Sequence, residues 1–110
     1  MRQYVIDQLS REERRNIESY LKRTLQPGPL DGIFWIEVPQ DLLGAEQRRH
    51  EGCGPFFFAV ELEDESVKFE MLVRSQFTLH CSCIAYATPL QRDFVLRIID
   101  RMLKEEKIMA

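Results

Sequence analysis

The chain has 110 residues and a net charge of −3 at neutral pH. That length suits one domain, residues 1–110, and the acidic balance gives no pull toward nucleic acid or an anionic membrane surface. No apolar run approaches the roughly 20 residues a membrane-spanning helix needs. Hydrophobic residues at 45% and charged residues at 30% are the proportions of a soluble globular domain. The opening Met1-Arg2-Gln3-Tyr4 leads into charged sequence and not into an apolar leader. The three cysteines form no regular framework, so reduced thiols and a cytoplasmic location are expected.

Residues 4–25 read as a helix, with the firmer signal from Ser10 onward. Ser10-Arg11-Glu12-Glu13 fits a capping box, and Ile17, Tyr20, Leu21 and Leu25 follow at helical spacing. Ile6 and Leu9 extend that stripe backward. Arg11, Arg14, Arg15, Glu18, Lys22 and Arg23 make a polar face of mixed sign, which suits solvent and not a nucleic acid. Gln26-Pro27-Gly28-Pro29 stops the helix. Ile33–Val38 reads as a strand apolar on both sides, so either Phe34 or Trp35 must face outward. Asp41–His50 fits a short helix weakened by Gly44, and Glu51–Pro55 a loop.

Phe56–Leu62 and Val67–Val73 alternate apolar and polar residues around the break Asp64-Glu65-Ser66, the pattern of half-buried strands. A tip at Glu65-Ser66 sets Glu63 against Lys68, Leu62 against Phe69, Glu61 against Glu70 and Val60 against Met71. A third strand is expected at Phe77–Tyr86. Two connecting residues would turn His80 and Ser82 inward, whereas three, Arg74–Gln76, bury Phe77, Leu79, Cys81 and Cys83. Inward His and Ser would need buried partners and Cys would not, which favours the second register. Thr88-Pro89-Leu90-Gln91 then opens a helix to about Lys107 with a capping box and proline at its first position. Its apolar stripe is Leu90, Phe94, Val95, Ile98, Ile99, Met102 and Leu103. The fold class is therefore α+β: an antiparallel sheet of about four strands, the meander 56–86 plus strand 33–38. The N- and C-terminal helices pack on one face of it.

Four groups could carry function. His50, Cys53, Cys81 and Cys83 offer three thiols and an imidazole suited to tetrahedral zinc. On a strand, however, Cys81 and Cys83 would sit about 6.6 Å apart, too far to share one ion without a bulge. The three-residue register also aligns Glu61, Glu70 and His80 in an outward row, read as an ordinary solvent-facing row because no nucleophile or oxyanion donor lies near it. Arg48, Arg49 and His50 before Gly52-Cys53-Gly54-Pro55 read as a solvated loop. No P-loop or dinucleotide fingerprint is present, so no cofactor is expected. Finally, Trp35, Phe57, Leu72, Ile84 and Tyr86 would give the outer sheet face a greasy patch of the kind that marks an interface, unless residues 41–50 or the first helix cover it. The leading expectation is a non-enzymatic protein-interaction domain, self-associating as a homodimer or binding another protein. The alternative is a metal- or small-ligand-binding protein using His50, Cys53, Cys81 and Cys83.

Overall fold

The computed structural model describes residues 1–110. Local sequence signals place the helices. Helix α1 spans Arg11–Thr24, and Ser10 and Glu13 bond each other's backbone N–H groups in the expected capping box. The short helix α2 spans Ala45–Arg48, between 3-10 turns at Gln40–Leu42 and Glu51–Cys53. Helix α3 spans Pro89–Glu105 with the reciprocal box of Thr88 and Gln91. No helix is long and apolar enough to cross a membrane.

The sheet is antiparallel and has seven strands, not four: β1 (Gln3–Ile6), β2 (Gln26–Pro27), β3 (Ile33–Glu37), β4 (Phe56–Leu62), β5 (Val67–Glu70), β6 (Leu72–Ser75) and β7 (Ala85–Tyr86). Its main path runs β1-β5-β4-β3-β2, while β6 lies between β4 and β7. Gly32 turns the chain into β3 with a left-handed φ of +83°, a backbone state that favours glycine.

Three expectations are corrected. Residues 3–6 are a strand and not the start of a helix. Tyr4, Val5 and Ile6 are aromatic or β-branched and pair along β5, and the chain re-enters helix only at the Ser10 cap. The β4–β5 register lies two residues from the expected one: Val60 opposes Phe69, Glu61 opposes Lys68 and Leu62 opposes Val67. An even offset keeps every side chain on its expected face. Glu63 still pairs with Lys68, at 2.6 Å, from a diagonal position. Third, the expected strand Val67–Val73 is split into β5 and β6 and runs on to Ser75, and the expected strand Phe77–Tyr86 is reduced to its last two residues, Ala85–Tyr86. From Val60 to Phe57 is three steps on β4, while from Phe69 to Arg74 is five on its partner, so the partner strand carries a two-residue bulge near Met71. After Ser75 the chain leaves the sheet, and only Ala85–Tyr86 returns to it, beside Leu72 and Val73.

One core cluster of 22 buried residues joins Ile17, Tyr20 and Leu21 of α1 and Val95, Ile99 and Met102 of α3 to one face of the sheet: Phe34, Ile36, Phe56, Phe58, Val60, Leu62, Val67, Phe69 and Val73. Phe34 thus faces the core and Trp35 the other side. Leu90, expected in the stripe of α3, is exposed.

Candidate metal centre

The pairing of β4 with β6 sets Phe56 opposite Ser75. The residues just before β4 therefore lie beside those just after β6. The first group contains His50 and Cys53, the second the loop from Gln76 to Ile84. The Ser75 side chain ties them together. Its hydroxyl donates to the Cys53 carbonyl and accepts the backbone N–H groups of Phe77 and Thr78, each at 3.2 Å. Those two bonds bend the chain off the strand, as serine does in local turns. The loop ends in a tight turn, Cys81 to Ile84, closed by the Ile84 N–H on the Cys81 carbonyl at 3.0 Å.

This path brings His50, Cys53 and Cys81 together. One ligand atom from each lies within 4.8 Å of the others, and all three residues are half-buried. The Cys53 and Cys81 sulfurs are 3.7 Å apart, and Cys81 Sγ is 3.4 Å from His50 Nδ1. A sulfur pair at that distance is not a disulfide, whose bond is about 2.05 Å. Tetrahedral zinc has Zn–S of about 2.3 Å and Zn–N of about 2.0–2.1 Å, which gives S···S and S···N edges of about 3.8 and 3.5 Å. The observed pair of distances matches those edges.

The surroundings suit the same use. His50 Nε2 is 3.0 Å from the Ser82 hydroxyl. With Nδ1 turned to a metal, Nε2 carries the proton and donates to Ser82 Oγ, the outer bond that fixes a ligating imidazole. The Cys83 N–H donates to Cys81 Sγ at 3.5 Å. That contact, then the neighbouring Cys83 thiol, holds the Cys81 thiol below its ordinary pKa and favours the thiolate a metal needs. Cys83 is fully buried, and burial first, then the Cys81 and Cys53 thiols, push its pKa up to about 12. Its backbone is anchored from α2: the Gln47 amide donates to the Cys83 carbonyl at 2.8 Å. Gln47 Oε1 accepts from Gly44 N–H at 2.7 Å and from the Gln91 amide at 3.2 Å, and Gln91 also donates to the Leu42 carbonyl at 2.8 Å. Both glutamines are buried, and no buried side-chain nitrogen or oxygen atom lacks a partner.

The candidate residues named from sequence thus meet different fates. His50, Cys53 and Cys81 are brought together, with Cys83 beside them but outside the mutual 4.8 Å set. The Glu61–Glu70–His80 row does not form: Glu61 opposes Lys68, Glu70 pairs with Arg74 at 3.0 Å, and His80 is exposed on the loop. Of the five surface candidates, Phe57 is buried with its ring 5.5 Å from Trp35, and it stands apart from the main core cluster. Trp35 and Leu72 are half-buried, and Ile84 packs against the core cluster. Tyr86 is exposed beneath the Arg2 guanidinium, 4.2 Å from its ring centroid. Phe77 and Leu79, expected inside a strand, are 71% and 85% exposed because the loop replaces that strand. Ser75, Ser82 and Gln47 support the site but were not identified from the sequence, because each acts through a contact made only in the folded chain. No protein-family model, curated protein or solved structure matches the chain.

Proposed function

We propose that the protein binds zinc through His50, Cys53 and Cys81, and that the ion clamps the loop after β6 to the segment before β4. One observation carries this reading: the sulfur–sulfur and sulfur–nitrogen distances of 3.7 and 3.4 Å, with the imidazole's other nitrogen held by Ser82. The donor set, thiolates and imidazole, suits zinc better than a hard cation. No catalytic step is assigned to it. Cobalt(II) titration tests the reading, since tetrahedral cobalt–thiolate sites absorb in the visible. A saturable spectrum with an end point near one equivalent is expected, and Cys53→Ser abolishes it. An octahedral, weakly coloured spectrum unaffected by Cys53→Ser contradicts the proposal.

A second reading, a protein-interaction domain, is favoured by the exposure of Phe77 and Leu79 on that same loop. A zinc clamp would hold the two side chains in a fixed presentation to an apolar partner surface. Light scattering over a range of concentrations tests the homodimeric form: a mass that rises with concentration and falls back in a Phe77→Ser, Leu79→Ser variant supports it. A concentration-independent monomer counts against it.

A further inference from the structure

We infer that Cys83 is the fourth ligand, so that His50, Cys53, Cys81 and Cys83 form a closed zinc site with no coordination position left for water or substrate. The inference rests on the zinc centre proposed above and decides its class: a closed site is structural, whereas an open one serves catalysis.

Tetrahedral zinc takes four donors, and the mutual set supplies three. The other groups nearby are poor choices. Thr78 Oγ1 is 3.8 Å from Cys53 Sγ but is a neutral alcohol, which is not among zinc's usual protein ligands. The Ser82 hydroxyl is engaged by His50 Nε2. His80 is exposed and outside the set, and no carboxylate belongs to it. Cys83 has the right chemistry, and it shares a turn with Cys81, its N–H lying 3.5 Å from the Cys81 sulfur.

The chain around these two cysteines is a turn and not a strand. On a strand, Cys81 and Cys83 would project about 6.6 Å apart along one face. Here they occupy the first and third positions of a turn, and the Cys83 N–H lies on the Cys81 sulfur. The turn is pinned from behind by Gln47 through the Cys83 carbonyl. Cys83 is fully buried, so water is kept from its side of the cluster. The Cys83 sulfur lies outside the mutual 4.8 Å set, so ligation requires its side chain to turn toward the cluster from within that turn.

X-ray absorption at the zinc edge of the zinc-loaded protein decides the matter. Three sulfurs at about 2.3 Å and one nitrogen at about 2.0–2.1 Å are expected. A Cys83→Ala variant should show two sulfurs and two lighter ligands. The spectrum of the unaltered protein decides the question even if that variant does not fold. Two sulfurs and two lighter ligands in the unaltered protein overturn the role of Cys83 and leave the zinc centre standing. Failure to retain zinc after loading overturns both.

Discussion

At the residue scale, the site depends on side chains that hold others in place. Gln47 serves the Cys83 carbonyl, the Gly44 N–H and Gln91 at once. Gln47→Leu removes the partner of the Cys83 carbonyl and of the Gly44 N–H, while Gln91 keeps its bond to the Leu42 carbonyl, and each orphan costs about 1–3 kcal/mol. We expect a loss of about 2–4 kcal/mol, read from the urea midpoint at unchanged m-value. A loss below about 0.5 kcal/mol, the scale of a neutral surface change, would show that the network is not needed. Ser82→Ala should act differently: the hydroxyl is exposed, so folding is kept, while zinc affinity falls about 10–100-fold as outer-shell changes do. Competition against a colorimetric chelator measures it, and an unchanged affinity removes Ser82 from the site. The ligand residues were legible in the sequence because His, Cys and their number are visible there. Ser82 and Gln47 were not, because a serine or glutamine gains its role only from a neighbour 32 or 36 residues away.

At the element scale, the helices are written locally and the sheet is not. Both capping boxes and the proline start of α3 are found as read, since they depend on residues three apart. Thr88→Ala should cost about 1 kcal/mol in a thermal or urea melt, and a change within about 0.2 kcal/mol would contradict a capping role. Alternation identified β4 and β5, their core faces and their pairing with each other, yet not their register, because register depends on turn length. Past the bulge near Met71 the second strand continues along β4 through Ser75, so the connection expected at Arg74–Gln76 does not form there. The alternation from Phe77 to Tyr86 reads as a strand, yet only Ala85–Tyr86 is one, and the cysteines and Ser82 belong to a folded-back loop. At the other end, Tyr4 to Ile6 fit a helical stripe as well as a strand, and only the free edge of β5 decides between them.

At the scale of the whole molecule, the helices cover one sheet face and the loop cluster closes the end of the β4–β6 pair. The exposed Phe77 and Leu79 contribute nothing to the core, so Phe77→Ser with Leu79→Ser should change stability by less than about 0.5 kcal/mol while altering any self-association. A larger loss in the unfolding curve would mean that the loop packs in solution. Zinc, in contrast, should stabilise the whole domain by linkage. At 100 times its dissociation constant a ligand adds about 2.7 kcal/mol, worth roughly 10–20 °C in melting temperature for a chain of this size. A strong chelator should reverse that gain.

The zinc content of the protein, purified without added metal, dialysed and assayed by elemental analysis, tests the central claim most directly. About one zinc per chain is expected, falling to background in a Cys53→Ser, Cys81→Ser variant. Background zinc in the unaltered protein, together with failure to take up zinc on loading, would contradict it.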